Sequence, residues 1–123
     1  MITATREKRR SPRVESNIPL KISSEDFDIV TESKNLSSSG AYCTVDRYLE
    51  PMTKLKIHLL LPFKKKDKII AKKISCSGVV VRTQANPEGK NFNTAIYFNE
   101  IEEKNRKIIA EHVAALLKDS PVI

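Results

Sequence analysis

The sequence predicts an all-β domain closed by a single C-terminal helix. Side chains alternate with period two along most of the chain, and the period becomes helical only after residue 100. Strand and helix patterns never alternate, as a parallel sheet would need. The length of 123 residues suits one domain with one core, and 40% hydrophobic with 30% charged residues suits a soluble globular chain.

Val14, Ser16, Ile18, Leu20 and Ile22 occupy every second position and predict a first strand with one buried face. Phe27, Ile29 and Thr31 predict a second, with Ser23–Asp26 as the turn between them. Ser33 to Gly40 is polar, breaks the alternation and is expected to be a loop. Ala41, Cys43 and Val45 resume the pattern, and Leu55, Ile57, Leu59 and Leu61 carry it on after the Glu50-Pro51 break. Phe63–Lys68 is expected to be an exposed hairpin loop. Ile70–Arg82 is long for a strand, and Gly78 inside it predicts a bulge or sharp bend. Asn86-Pro87-Glu88-Gly89 is a turn, and Phe92, Thr94, Ile96 and Phe98 form the sixth strand.

Ile101, Ile108, Ile109, Val113, Leu116 and Leu117 then fit one face of a helix. Asn99 with Glu102 has the capping-box spacing, Glu102–Arg106 and Glu103–Lys107 are favourable pairs four apart, and Ser120-Pro121 ends the helix. Six strands and one helix of this kind close as a small antiparallel barrel or sandwich, with the helix over an open end. The expected organisation is a basic arm over residues 1–13, the β domain with its helix over 14–118, and a tail over 119–123.

The net charge of +7 is local. Residues 1–13 hold Arg6, Lys8, Arg9, Arg10 and Arg13 against Glu7, and residues 64–73 hold six lysines against Asp67. The rest of the chain sums to −2. Such confinement points to an anionic partner met at one or two places. Arginine offers a planar fork of donors that suits phosphate and guanine edges, whereas lysine is a hydrated point charge that specifies little. The lysine segment is expected to be a solvated hairpin face, with docking of an acidic partner as its alternative.

Several function classes lose support at this stage. No apolar run has the length to span a bilayer and no signal peptide is apparent, so a cytoplasmic domain is expected. Cys43 and Cys76, 33 residues apart and without a CxxC, read as small core side chains rather than a disulfide or zinc site. His58 lies on the solvent face of its strand, and His112 is expected to be half-buried and structural. Ser37, Ser38 and Ser39 have no companion base and no nucleophile elbow, so no enzyme is expected. Tyr42, Tyr48 and Tyr97 are scattered and suggest no stacking platform.

Two segments carry chemistry. In Arg9-Arg10-Ser11-Pro12-Arg13, Pro12 favours an extended backbone at Ser11, so several guanidiniums line an extended stretch just before the first strand. In Asn35-Leu36-Ser37-Ser38-Ser39-Gly40, short polar side chains bond neighbouring backbone groups and Gly40 permits a positive φ. Alone, the first reads equally well as a solvated tail and the second as an ordinary turn.

Together they resemble the two signatures of the PilZ domain, the bacterial receptor module for cyclic di-GMP. Arg9 and Arg13 match RxxxR, with Arg10 in its often basic second place, and Asn35, Ser37 and Gly40 match [D/N]xSxxG. Gly78-Val79-Val80-Val81-Arg82 and Ala95-Ile96-Tyr97-Phe98 resemble the family's last strands, so the likeness runs from Arg6 to about Leu117. It implies a six-stranded antiparallel PilZ-like barrel with a flexible N-terminal arm. Arg9 and Arg13 would recognise guanine and phosphate, Arg10 would support them, Asn35 and Ser37 would address the opposite guanine edge, and Gly40 would let the backbone approach or shape the turn. A guanidinium meets guanine O6 and N7 with two parallel hydrogen bonds, which lysine cannot do.

The resemblance further implies that bound nucleotide orders the arm and creates a surface for a protein partner. A basic residue just before the first motif arginine tends to accompany a stacked ligand pair, so Lys8 leans the expectation toward two nucleotides per chain. Many members have glycine where Ala95 stands, and its methyl group would either crowd a guanine or be tolerated. The lysine segment belongs to no family signature. Two rival readings stay open: a PilZ-like adaptor working by protein contact alone, and a small basic barrel for single-stranded nucleic acid, which would show a steep salt dependence.

Overall fold

A chain that alternates apolar and polar residues along six segments must pair every strand edge or leave it to aggregate, and closing the sheet on itself solves this. The computed structural model describes residues 14–15 and 17–119. Its elements are β1 (Val14–Glu15), β2 (Pro19–Ser23), β3 (Asp28–Ser37), β4 (Gly40–Val45), β5 (Lys54–Lys65), β6 (Lys68–Ala85), β7 (Phe92–Glu100) and α1 (Glu103–Asp119). The antiparallel order runs β3-β2-β5-β6-β7-β4, and pairing of β4 back onto β3 closes a six-stranded ring. The inward positions form the core, with Leu20, Ile22, Leu36, Ile57, Leu59, Leu61, Ile74, Val80 and Phe98 at most 1% exposed.

The first alternating segment is interrupted where a single strand was expected. β1 pairs with the end of β3 (Val14 with Leu36, Glu15 with Asn35), while β2 pairs with its beginning (Pro19 with Glu32, Ser23 with Asp28). Buried Ser33 spans the gap: its N–H donates to the Ile18 carbonyl at 2.9 Å, and its hydroxyl accepts from the Ile18 N–H at 3.3 Å.

Two segments expected as loops are strands. Ser33–Ser37 continues β3, because β1 on one edge and β4 on the other satisfy its backbone whatever its side chains prefer. Only Ser38 and Ser39 turn. Likewise β5 and β6 run on to Lys65 and Lys68, leaving a two-residue turn in which Lys66 has φ 56°. The bulge expected at Gly78 is present: the β6–β7 register shifts between Ser77 and Val79, and again between Val80 and Arg82. A Cβ at Gly78 would stand 2.8 Å from Ile96 Cγ2 and 3.1 Å from Ile57 Cγ1, so only glycine fits against the core there.

The helix begins later than the capping box suggested. Asn99 and Glu100 belong to β7, Glu100 pairing with Ser77, and the Glu102 carbonyl accepts the first helical bonds from Asn105 and Arg106, both at 3.0 Å. Arg106 pairs with Glu103 at 3.7 Å, three residues back instead of four. Ile109, His112 and Val113 are buried against the barrel end, with Ile101, Ile108 and Leu116 packed around them. Leu117, expected on that face, is 42% exposed. Among the described residues no helix is long and apolar enough to cross a membrane.

Candidate functional site

The two-residue turn Ser38–Ser39 joins β3 to β4 and brings the NxSxxG residues together. Ser37, 2% exposed, holds it from beneath: its Oγ accepts from the N–H groups of Ser39 and Gly40, both at 3.2 Å, and lies 3.1 Å from Ser39 Oγ. The Ser39 carbonyl in turn accepts from the Phe98 N–H at 2.8 Å, fastening the turn to β7. Ser37 is the motif residue expected to address a guanine edge, and its bonds here are to its own turn. The hydroxyl is buried and engaged with the turn.

Gly40 also has a different reason from the one expected. No described glycine has a positive φ. A Cβ at Gly40 would collide with the Ile96 carbonyl oxygen and lie 3.3 Å from its carbon, so the position is small because β4 and β7 approach closely. Asn35 follows the irregularity in the β3–β4 register between Ser33 and Asn35, which turns it to the outer face beside Tyr42. It is half-buried, and its amide has no hydrogen bond among the described residues.

Register extends this corner into a face. Asn35 pairs with Tyr42, Tyr42 with Ala95, and Ala95 with Arg82, making one outward row across β3, β4, β7 and β6. Ser37 pairs with Gly40, Gly40 with Tyr97, and Tyr97 with Val79, making the adjacent row. Gly40 and Ala95 thus form one diagonal of a two-by-two block, and Tyr42 and Tyr97 form the other. Directly opposed residues share a face, and aromatic side chains reach their diagonal neighbours. Tyr97 is 49% exposed and Tyr42 half-buried, so a low floor lies between two rings, with exposed Arg82 at its margin. The sequence reading missed both tyrosines and Arg82. Their signal was parity, since Tyr42 stands two residues after Gly40 and Tyr97 two after Ala95, but the pairing that unites them is not local.

Arg9, Arg10, Arg13 and Lys8 lie outside the described residues. The chain that follows them is described, and β1 places Val14 opposite Leu36 and Glu15 opposite Asn35, on the strand that carries the serine–glycine motif.

The two cysteines and two histidines present no side chain on this outer face. Burial pushes the Cys43 thiol up to about 12 and the Cys76 thiol up to about 11, which leaves neither a nucleophile at neutral pH. His58 Nδ1 is 2.8 Å from Ser75 Oγ, and its pKa is lowered first by desolvation and then by Lys73, Lys21 and Lys56. Among the described residues no cluster of His, Cys, Asp and Glu could hold a metal ion. A cavity of about 340 Å³ opens between the β2–β3 turn and β5, β6 and β7, lined by Glu25, Lys54, Lys56 and Asn99 among others, and no motif residue borders it.

The fold and the sequence each have relatives. The inhibitor of motility MotI/DgrA of Bacillus subtilis superposes with a TM-score of 0.79 at 17% identity, over 93% of this chain and 53% of that one, so the present chain spans about half its length. The PilZ domain of YcgR from Escherichia coli, whose structure was determined with c-di-GMP, superposes with a TM-score of 0.60 at 9% identity, over 91% of this chain and 93% of that one. No curated protein matches the sequence. The PilZ domain family model matches residues 7–115, nearly the whole barrel with its helix and part of the basic arm, and the chain belongs to the PilZ domain family.

Proposed function

We propose that this chain is a non-enzymatic cyclic di-GMP receptor that binds the dinucleotide between its basic arm and the outer face of β3, β4 and β7. The observation that supports the reading is the pairing of β1 with β3: Val14 lies opposite Leu36, on the strand that leads into the NxSxxG turn, and Arg13 immediately precedes Val14 in the sequence. Arg9 is four residues further back, and five residues of extended chain can span about 17 Å. Arg9 and Arg13 supply forked donors to guanine and phosphate, with Arg10 beside them and Lys8 preceding them. Asn35 offers its free amide to a guanine edge. Ser37 acts through the turn it braces, and Gly40 and Ala95 keep the floor low between Tyr42 and Tyr97.

The ligand is a dianion with two flat bases, and the site divides its work accordingly. Charge comes from the arm, shape comes from the barrel, and the rings of Tyr42 and Tyr97 offer apolar faces to a base. Binding orders the arm across the barrel and gives a protein partner a surface that the free chain lacks. Cyclic di-GMP in the E. coli YcgR structure supports this choice of ligand over single-stranded nucleic acid.

Isothermal titration of the intact chain with cyclic di-GMP tests the proposal. Micromolar binding corresponds to about −8 kcal/mol. Arg9→Ala and Arg13→Ala should each remove on the order of 2–3 kcal/mol of it, the contribution of a charge-assisted bidentate contact. Arg→Lys at either position should recover little. No heat at tens of micromolar ligand, with the fold intact, would favour the adaptor that works by protein contact alone. Affinity that grows with oligonucleotide length would favour the nucleic-acid barrel.

A further inference from the structure

The β5–β6 hairpin outgrows the barrel. β2 pairs with β5 only over 56–59, and β7 pairs with β6 only over 77–85, so residues 60–65 and 68–76 form a two-stranded ribbon. Its base is anchored on α1, where Phe63 and His112 have ring centroids 6.4 Å apart and Asn105 Nδ2 donates to the Ser75 carbonyl at 3.3 Å. Beyond that base it carries six lysines and one aspartate between residues 64 and 73. Lys65, Lys66, Lys68, Lys72 and Lys73 are exposed, and no ion pair joins them to a carboxylate among the described residues.

The tip is also apolar, on both of its faces. Ile69, 77% exposed, lies opposite Lys64 on the outer side, while Ile70, 47% exposed, lies opposite Phe63 on the side toward the helix. Leu60, 44% exposed, lies further down the outer side. A flat protein surface would bury one of these faces and leave the other in water. Nucleic acid would pair with the lysines and gain nothing from two isoleucines. A lipid interface surrounds a narrow ribbon on every side, accepts aliphatic side chains just below the headgroups and neutralises the lysines with anionic lipid.

We propose that the ribbon is a membrane-docking finger that rests on an anionic lipid surface, with Ile69 and Ile70 inserted at its tip and the surrounding lysines in the headgroup layer. The contact is peripheral and lies apart from the face that carries the serine–glycine motif.

The chain contains no tryptophan, so Ile69→Trp installs a single reporter. The intact variant is mixed with vesicles of phosphatidylcholine alone, and with vesicles of phosphatidylcholine and phosphatidylglycerol. Emission should shift to the blue only with the anionic vesicles, and brominated lipid should quench it. Each lysine near an anionic leaflet favours partitioning by about fivefold. Reversal at Lys65, Lys66 and Lys68 to glutamate should therefore weaken co-sedimentation of the otherwise natural chain by at least ~100-fold. Ile69→Ser with Ile70→Ser should weaken it with every charge retained, and circular dichroism should show both variants folded. Unchanged emission with anionic vesicles overturns the proposal, as does binding that the double serine variant leaves intact, because that would be adsorption of a cationic protein. Tight binding to duplex DNA without vesicle binding overturns it in favour of a nucleic-acid finger.

Discussion

The outer surface of this barrel contains two regions built on opposite terms. On the face across β3, β4, β7 and β6, the central residues Gly40, Tyr42, Ala95 and Tyr97 have strand neighbours on both sides, and two irregularities in the β6–β7 register with one in the β3–β4 register fix which side chains point outward. Gly40 is small because a backbone carbonyl stands where its side chain would be, and Ser37 uses its hydroxyl to brace the turn. The β5–β6 ribbon has two strands, helix cover only at its base and lysines along its length. Recognition by shape requires a register that holds every position. Recognition by charge requires only that cations be exposed together, so the ribbon tolerates a looser build.

Substitution by one methyl group should separate the regions most strongly. Gly40→Ala drives a Cβ into the Ile96 carbonyl, a backbone atom that cannot rotate away. It should destabilise the fold by about 3 kcal/mol, the upper end for overpacking, and lower the melting temperature by ~10 °C or more. Ile69→Ala on the ribbon removes three carbons and should change stability by no more than about 0.5 kcal/mol, since the residue is 77% exposed and has little packing to lose. Equal melting temperatures for the two variants would erase the distinction.

Much of this contrast was legible in the sequence, though unevenly. Alternation gave the inward residues of β2, β4, β5 and β7, and the change of period gave the helix, because both follow from side-chain geometry within one element. The motif residues were legible through their spacing. The extent of β3 was not, since serine and asparagine favour turns locally while pairing on both edges holds Ser33–Ser37 in the sheet. The Tyr42–Tyr97 diagonal was hidden for a related reason: 55 residues separate the two rings, and only the β4–β7 register brings them together. The positive φ expected at Gly40 is absent, and its smallness answers the approach of β7, which leaves no mark on the local sequence.

The inner side of the same face offers a smaller test. Thr94, on β7 opposite Cys43, is fully buried, and its Oγ1 has no hydrogen-bond partner among the described residues. An unsatisfied buried hydroxyl costs about 1–3 kcal/mol, and valine has nearly the same shape. Thr94→Val should therefore stabilise the protein by about 1 kcal/mol in a denaturant titration, leaving the outward row untouched. A loss of stability would mean that the hydroxyl has a partner, such as a buried water, and that the interior behind the binding face is less apolar than its packing indicates.

The smallest effect concerns the base of the ribbon, where two histidines report on its two sides. His112, beneath Phe63, has its pKa lowered by burial, and its Nε2 has no partner. His58, on the outer side against Ser75, has its pKa lowered by desolvation and then by Lys73, Lys21 and Lys56. In both cases the folded value lies below the unfolded value of 6.5, so as pH falls through 6.5 the unfolded chain takes up protons before the native one does. Stability should be full above 6.5, decline as pH falls from there to the lowered native values, and decline no further from these groups below them. Added salt screens the lysines around half-buried His58 but not the desolvation of either histidine. His112→Phe should reduce the slope that persists at high salt and leave the salt-sensitive part unchanged, whereas His58→Gln should remove the salt-sensitive part together with its own share of the desolvation. A slope that salt abolishes entirely would mean that water reaches His112, and that the ribbon is not anchored on the helix as tightly as its contact with Phe63 implies.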